Sequence, residues 1–490
     1  MKAVEPQPTL RQWVKNNRFQ IGAVTLVALS GFLVGILPLQ TTLLLAVFFI
    51  GLLLAAMAMV SRGMRSTAVV LMLVVLPLTS ILKAITGSRF APLAFDLGLL
   101  LACGLHLLDG LIQGKLRFGK LDALLLVLWG LAFVQLFNPN VPSMQAGIEG
   151  FRKFIYMSIA FYISRHLLQL KDFRLFVKGM LLFSIPVTLY GIKQFFVMWP
   201  IDYRMIDLAT ASSVTYLMGG WIRPFSTMSG PFQLGSYLMI LLLLLILAFL
   251  KGKRFHPSLR LLLIGLFFIQ IALLLMTRTK GNWGGFVIGL FVLFVLQSRN
   301  PVRAVIGLGG FALLGGVAIF LVFSLTSGAS LTVLDDALFA ITHPIQAPTF
   351  IFRMELWQET IIPAIQQQPF WGYGTSSASE GLSNLYKGTQ SRYFFSHNLY
   401  FKILVEMGIL GLAMFLWIVA ESLGKGLRQL RRPNSNNPDA TLLLQWSVAV
   451  VIAFLVSGFV IPNLDAYPAN YYFWLLLGLL SRAKTLVVQS

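Results

Sequence analysis

Long apolar runs recur along the whole chain, and they constrain its fold more than any other feature. A helix needs about 20 apolar residues to cross a bilayer. Fourteen runs come close to or exceed this length, although the run 91–108 contains Asp96 and the last run is short. The pattern predicts an all-α polytopic membrane protein with about 14 transmembrane helices. The runs are 20–38, 42–60, 67–85, 91–108, 121–137, 152–168, 174–198, 232–250, 259–276, 282–298, 303–326, 398–420, 440–461 and 468–481.

The distribution of basic residues predicts the orientation of these helices. The chain carries a net charge of +21, yet only 11% of its residues are charged, against about 25% in a soluble domain. If the N-terminus is cytoplasmic, 25 of the 38 lysines and arginines fall in inner segments, as the positive-inside rule requires. Both termini are therefore predicted to be cytoplasmic, and most of the basic excess reflects membrane insertion rather than nucleic-acid binding.

The connections on the outer side divide the chain into three parts. Residues 1–326 hold helices 1–11 with mostly short loops, residues 327–397 form one large outer loop, and residues 398–490 hold helices 12–14. A structureless loop of that length is unusual, and this one has helical spacing over Leu331–Ile341 and Phe350–Ile365. Apolar residues recur every three or four positions in the second stretch, which predicts short amphipathic helices. These residues are Phe350, Met354, Trp357, Ile361 and Ile365.

Cations on the outer side are candidates for an anion-binding site, because charged groups beside a bilayer are costly. Arg223 lies in an irregular stretch rich in proline and glycine that leads into the run at 232. Arg278 and Lys280 lie in a short outer turn, against the positive-inside bias. A guanidinium can bind phosphate in a bidentate manner. The structural alternative is anchoring at the membrane interface, where long basic side chains reach toward water.

His397 is the candidate acid or base, because an imidazole exchanges protons near neutral pH. It lies where the large loop meets the next span, and its neighbours include the polar residues Asn398 and Tyr400. The alternative is a purely structural histidine. Glu406 follows with the spacing of an i,i+4 pair to Lys402, which indicates a structural role for this carboxylate.

Other parts of the large loop carry weaker signals. Arg353 and Trp357 lie on the proposed loop helix, and Gly372 and Gly374 indicate a close approach of two backbone segments. The sequence has no Walker, HExxH, CxxC or DxD-type motif, and its one cysteine, Cys103, cannot form an intrachain disulfide. No metal and no cofactor are expected, and a metal-independent reaction is favoured.

Four segments together resemble the O-antigen ligase and O-antigen polymerase superfamily. The stretch 396–416 (SHNLYFKILVEMGILGLAMFL) resembles its H-N-x-Y and E-x-G-x-x-G-L pattern, and Arg353, Trp357 and 369–374 (PFWGYG) resemble the segment before its histidine. The stretch that begins at Arg223 (RPFSTMSGPF) resembles an earlier arginine motif. The turn 277–283 (TRTKGNW) resembles its T-x-S-R-G segment, but with Lys280 in the place of the arginine.

The resemblance implies a multi-pass glycosyltransferase of the bacterial inner membrane with a periplasmic active site. Such enzymes move a glycan from undecaprenyl diphosphate to a lipid core, to another glycan or to a different acceptor hydroxyl. It implies that His397 activates the acceptor or contacts the donor. It also implies that Arg223 and either Arg278 or Lys280 bind the diphosphate, with Arg353, Trp357, Asn398, Tyr400 and Glu406 in supporting roles.

A membrane transporter is the alternative function, either a flippase for lipid-linked oligosaccharides or a carrier of small anions such as bicarbonate. Fourteen spans suit a flippase, but transporters commonly place their ionisable groups near the midplane, within two related halves. Here the candidate cations lie at the outer interface and no internal repeat is evident, which favours the enzyme. A scaffold in an assembly complex is a third, weaker interpretation.

Overall fold

The computed structural model describes residues 62–87, 91–114, 118–209, 216–218, 221–250, 257–298, 309–310, 339, 342–343, 346–379, 381–432 and 437–488. These residues are predominantly helical. Two strands, β1 (Leu217–Met218) and β2 (Trp221–Ile222), form a short antiparallel ladder in which Leu217 pairs with Ile222. The ladder lies just before Arg223, so the stretch predicted to be irregular is indeed not helical.

The α-helices are numbered in chain order. The first nine are α1 (Arg62–Val75), α2 (Thr79–Thr86), α3 (Ala91–Ile112), α4 (Lys120–Val134), α5 (Met144–Phe154), α6 (Ile159–Tyr162), α7 (Leu170–Phe196), α8 (Pro200–Leu208) and α9 (Pro231–Leu250). The others are α10 (Pro257–Met276), α11 (Lys280–Ser298), α12 (Pro348–Leu356), α13 (Ile362–Gln367), α14 (Leu399–Leu430), α15 (Pro438–Ser457), α16 (Ala469–Ser481) and α17 (Ala483–Val488). Short 3₁₀ or π turns join several of them: Leu76–Leu78, Gln135–Phe137, Tyr156–Ser158, Ile163–Leu167, Trp357–Ile361, Ser383–Leu385 and Asn463–Asp465.

Nine helical segments of the described residues are long and apolar enough to cross a membrane. Each corresponds to one of the predicted runs, so the protein is a helical multi-pass membrane protein. The segments are Met64–Thr86, Phe95–Ile112, Lys120–Phe137, Leu170–Phe196, Pro231–Phe249, Pro257–Met276, Lys280–Gln297, Leu399–Leu430 and Pro438–Ser457.

The predicted count of fourteen is not confirmed. The runs 20–38 and 42–60 and all of 303–326 except residues 309–310 lie outside the described residues, as do most of Leu331–Ile341 and the pair Asp335 and Asp336. The run 152–168 forms a series of short α, 3₁₀ and π segments instead of one long helix. The run 468–481 forms α16, whose 13 residues rise only about 20 Å.

The core of the bundle is formed by helices that are buried on every side. Every residue of α16 is buried, as are most residues of α9 and α15. Helices at the periphery instead expose large apolar side chains, among them Leu182 and Leu189 on α7 and Leu261 and Leu262 on α10. Such faces suit lipid rather than water, and they agree with a membrane location.

The helix predicted over Phe350–Ile365 is confirmed, with one change in geometry. It starts as α12, passes through a π turn at Trp357–Ile361 and continues as α13. Its apolar face packs inward, since Ile361 is buried and Trp357 and Ile365 are partly buried against the same small core. This segment therefore packs its apolar face under the loop that leads to His397.

Candidate active site

His397 is held in a strained backbone conformation at the start of α14. Its φ angle is +49°, in the left-handed region that costs a non-glycine residue roughly 1–3 kcal/mol. Asn398 fixes the next position, because its side-chain oxygen accepts from the amides of Tyr400 (2.8 Å) and Phe401 (3.0 Å) as an N-cap. The amide nitrogen of the same side chain donates to the carbonyl of Phe459 at 2.9 Å. The hydrogen bonds of Asn398 therefore hold His397 in its strained backbone conformation.

The imidazole of His397 lies among aromatic rings and close to a cation. The ring centroids of Phe395 and Phe352 lie 4.1 and 6.0 Å away, both in edge-on contact. Burial and the positive charge of Arg353 lower the pKa of His397 to about 4. The imidazole is therefore neutral at pH 7, which is the form that accepts a proton.

Trp357 and Tyr400 support the backbone on either side of His397. The Trp357 indole N–H donates to the carbonyl of Ser396 at 2.6 Å, and the indole packs edge-on against Phe401 at 5.2 Å. The Tyr400 hydroxyl donates to the carbonyl of Leu455 on α15 at 2.7 Å. These contacts position the segment around the histidine.

Arg223 joins two segments that lie more than 50 residues apart in the sequence. Its Nε donates to the carbonyl of Thr277 at 2.9 Å, and its guanidinium lies 5.2 Å above the ring of Phe232. Thr277 begins the turn that contains Arg278 and Lys280. Burial and the charge of Arg278 lower the pKa of Arg223 to about 10, so the two guanidinium groups repel each other here.

The two cations of this turn have different environments. Arg278 is partly buried and has a φ angle of +52°. Lys280 is exposed and forms the first residue of α11. Of these two cations, Arg278 contributes through its charge to the lowered pKa of Arg223.

Gln194 on α7 holds the segment that follows Arg223. Its carbonyl oxygen accepts from the amides of Phe225 (3.1 Å) and Ser226 (2.5 Å), and its amide nitrogen donates to Asp202 at 2.7 Å. Ser226 has a φ angle of +55°. Asp202 is paired with Lys193 at 2.5 Å. Sequence reasoning missed Gln194 and Asp202, although polar residues near the end of an apolar run were an available signal.

The turn after α15 lies between the His397 segment and the Arg278 turn. On one side, the amide of Leu399 donates to the carbonyl of Gly458 at 2.7 Å. On the other side, a Cβ atom placed on Gly281 would lie 2.6 Å from side-chain atoms of both Val460 and Ile461. His397 and Arg278 therefore flank one turn at one end of the bundle.

Glu406 forms the predicted ion pair with Lys402 and also accepts two hydrogen bonds from the large loop. The two charged groups are 2.5 Å apart, and Lys402 also lies 3.3 Å from Asp465, with all three side chains buried. Glu406 accepts from the hydroxyl of Ser379 at 2.8 Å and the amide of Ala378 at 3.2 Å. This carboxylate thereby ties the large loop to α14. Asp465 was not predicted.

The close backbone approach predicted at Gly372 and Gly374 is confirmed, and its partner is a break in α14. Gly408 has φ +65° and ψ −168°, which interrupts the helix. The amides of Tyr373 and Gly374 donate to the carbonyls of Val405 (2.7 Å) and Glu406 (3.0 Å). In return, the amide of Ile409 donates to the carbonyl of Pro369 at 2.8 Å. The backbone of the large loop thus supplies hydrogen-bond partners for backbone groups on both sides of the break in α14.

Taken together, the site combines neighbouring guanidinium groups with a neutral imidazole at one end of a helical bundle. Such an arrangement can bind an anion and accept a proton beside it. Within the part of the chain that the structure describes, no three His, Cys, Asp or Glu side chains are grouped to hold a metal ion.

Comparison with known proteins agrees with the resemblance of the motifs. Residues 265–416 match a family model described as O-antigen ligase. This stretch is roughly a third of the chain and includes the Arg278 turn, Arg353, Trp357 and His397, whereas Arg223 lies before it. The resemblance to the O-antigen ligase and polymerase superfamily is thereby confirmed. No curated protein matches the chain.

Proposed function

We propose, with the O-antigen ligase match as premise, that this protein is a membrane glycosyltransferase acting on lipid-linked glycans. It transfers a glycan from undecaprenyl diphosphate to an acceptor hydroxyl on the periplasmic side of the bacterial inner membrane. The acceptor is a lipid core or another glycan, for a ligase or a polymerase respectively. The observation that carries the proposal is the placement of His397 and the Arg223–Arg278 pair on the two sides of one turn, with His397 and Arg278 inside the matched segment.

The diphosphate of the donor binds at Arg223 and Arg278. Burial and the charge of Arg278 lower the pKa of Arg223, and a dianion bound between the two guanidinium groups offsets the repulsion between them. Arg223 is already anchored through Nε to the carbonyl of Thr277. A guanidinium that is held in one orientation suits the oxygens of a phosphate.

His397 acts as the base that activates the acceptor. The acceptor hydroxyl oxygen forms a bond to the anomeric carbon of the donor glycan, and its proton passes to the neutral imidazole. The bond from the anomeric carbon to the phosphate oxygen breaks, and undecaprenyl diphosphate leaves with the electron pair. The guanidinium groups stabilise the negative charge that grows on the leaving group.

Arg353 and the donor together adjust the basicity of His397. In the free protein, burial and Arg353 hold the pKa at about 4, which makes the imidazole a weak base. A diphosphate bound nearby contributes negative charge that raises this pKa toward the working pH, where proton transfer is most efficient. The base is thus strengthened when the donor is in place.

The experiment compares glycans in a deletion strain that expresses each variant. His397→Ala should lower transfer by a factor of about 10² to 10⁴ while the protein still reaches the membrane. His397→Asn is the second variant, since asparagine tolerates the left-handed conformation. His343→Ala, at an exposed position of the same loop, is the matched control and should retain activity.

The same strains separate the two kinds of transferase. Long undelivered chains on the lipid carrier indicate a ligase, and single accumulated repeats indicate a polymerase. Normal surface glycan in the His397→Ala and His397→Asn strains would remove the histidine from the mechanism. Movement of a solute or lipid-linked glycan across liposomes by the purified protein, without a glycan product, would favour the transporter instead.

A further inference from the structure

A second site candidate is a basic cavity at the end of α14 away from His397. Its volume is about 400 Å³, within the range of ligand pockets. Three separate segments line it, namely residues 165–166, the last turns of α14 with Arg432, and residues 481–485. Beyond its break at Gly408, helix α14 continues over residues 409–430 and rises by about 33 Å, so the cavity and the candidate active site lie at opposite ends of the bundle.

The lining of the cavity is strongly cationic. It contains no aspartate or glutamate, and its six permanently charged side chains are Arg165, Lys425, Arg428, Arg432, Arg482 and Lys484. Two carboxylates form ion pairs with residues of the lining, since Asp122 binds Arg165 at 3.0 Å and Glu421 lies 3.4 Å from Lys425, and the charge of Asp172 acts on Arg482. No acidic side chain among the described residues pairs with Arg428, Arg432 or Lys484. A net positive charge therefore remains.

Two of the guanidinium groups are fixed in place by hydrogen bonds to the protein. Arg165 Nη1 donates to the hydroxyl of Ser481 at 2.9 Å. Arg482 Nη1 donates to the carbonyls of Leu168 (2.5 Å) and Arg165 (3.2 Å). Burial and the charge of Arg165 lower the pKa of Arg482, although the charge of Asp172 acts in the opposite direction, so the protein holds two like charges together at a cost. An anion in the cavity would offset that cost.

The requirement for basic residues on one face of a membrane protein does not explain this arrangement. The positive-inside rule concerns the number of cations in a loop and not their position. Exposed cations such as Lys171 and Lys178 satisfy it without lining any part of the cavity. The convergence of cations from three segments far apart in sequence is an additional property.

We propose that this cavity binds a phosphate-bearing anion, and the proposal is independent of the proposed glycan transfer. Arginine groups that are already oriented match the oxygens of a phosphate. The volume exceeds that of a bare phosphate, which leaves room for an attached organic group. The two sources of this chemistry are the headgroup of an anionic phospholipid and a free phosphate compound.

The test measures ligand binding to the purified full-length protein in two arms. In the lipid arm, native mass spectrometry compares retention of phosphatidylglycerol with that of zwitterionic phosphatidylcholine. In the soluble arm, inorganic phosphate is titrated into protein held in phosphatidylcholine nanodiscs. Wild-type binding in the first arm identifies a headgroup, and binding in the second arm alone identifies a free phosphate compound.

The variants compare two pairs of lysines at the same end of the bundle. Lys425→Gln with Lys484→Gln removes two charges of the cavity and should weaken binding by about tenfold or more. Lys171→Gln with Lys178→Gln removes two charges outside it and should change binding by less than about twofold. If the first pair does not yield folded protein, Arg428→Gln with Arg432→Gln, at exposed positions, replaces it. Absence of binding in both arms, or equal binding by the cavity pair and the control pair, overturns the proposal.

Discussion

Left-handed backbone conformations mark the candidate active site at the scale of single residues. Ser226, Arg278 and His397 are the non-glycine residues with positive φ among those described, and all three belong to the segments proposed to bind donor and acceptor. Each is adjacent to a residue with firm hydrogen bonds, or has such bonds itself, as Ser226 does with Gln194. Strain of this kind persists only where the surroundings enforce it, so the side chains have defined positions before a substrate binds.

The acid limb of the pH profile should depend on Arg353. Protonation of His397 removes the base, so kcat/KM of the wild type should fall as the pH drops toward about 4. Arg353→Gln removes a repelling charge and raises the pKa of His397, and the limb should move to higher pH. The measurement is kcat/KM against pH, with Arg392→Gln at an exposed loop position as control. A limb that is unchanged in Arg353→Gln would contradict the coupling.

Arg278 and Lys280 should differ in their effect on donor affinity. Arg278→Asn should weaken the binding of undecaprenyl diphosphate by about 10- to 100-fold, since it removes a charge-assisted contact, and asparagine accepts the left-handed φ angle of this position. Lys280→Asn should change the affinity by about threefold or less, because its side chain is exposed. Lipid binding to purified protein measures both. A larger loss of affinity in Lys280→Asn than in Arg278→Asn would instead assign the contact with the diphosphate to Lys280.

The sequence was informative about single residues where chemistry is local. The pair of Lys402 with Glu406 follows from i,i+4 spacing, and the structure confirms it. Asp465, the other carboxylate that contacts Lys402, lies beyond an intervening span, and no local rule links the two. For the same reason the sequence leaves the choice between Arg278 and Lys280 open, and the effect of the Arg278 charge on Arg223 supports Arg278.

At the scale of elements, the break in α14 and the loop that fills it form one unit. A Cβ atom on Gly408 would lie 2.1 Å from the carbonyl oxygen of Phe370, and a Cβ atom on Gly372 would lie 2.6 Å from the carbonyl oxygen of Val405. Both glycines also have positive φ angles. Glycine is required on each side of the contact because there is no space for a Cβ atom and because the backbone is left-handed at both positions.

Gly408→Ala should therefore destabilise the protein. The left-handed conformation and the backbone overlap together should lower the free energy of unfolding by about 2 kcal/mol or more. Gly265→Ala is the control, because that helical glycine has open space around its Cβ position and alanine is favoured in helices by about 1 kcal/mol. Equilibrium unfolding in mixed micelles compares the two. Equal stability of both variants would show that the backbone contact between Gly408 and Phe370 can rearrange at little cost in free energy.

Helices were predictable from the sequence where a long apolar run forms one continuous helix. Nine of the predicted runs do form long helices in the described part of the chain. The run 152–168, which contains Arg152, Lys153 and Arg165, changes between α, 3₁₀ and π geometry. Hydropathy reports the preference for an apolar environment and contains no information about such changes. The glycine spacing predicted a close approach at 372–374, but its partner in α14 lies too far along the chain to be inferred.

At the scale of the whole molecule, the two candidate sites should face opposite sides of the membrane. Cysteines introduced into a Cys103→Ser background test this with a reagent that does not cross membranes. Lys387→Cys, at an exposed position of the large loop, should react in intact cells with a permeable outer membrane. Arg432→Cys, at the cavity end of α14, should react only after the inner membrane is opened. Reaction of Arg432→Cys in intact cells would contradict the predicted orientation.

The bonds between the large loop and α14 have a consequence for the integrity of the chain. Residues 387–390 and Arg392 are exposed, whereas Tyr373, Gly374 and Ser379 are bonded to α14. A protease that cuts the exposed stretch would separate the polypeptide into two fragments, each carrying part of the active site. Those fragments would remain associated through the contacts at the helix break, so a nicked protein would still co-purify as a single particle.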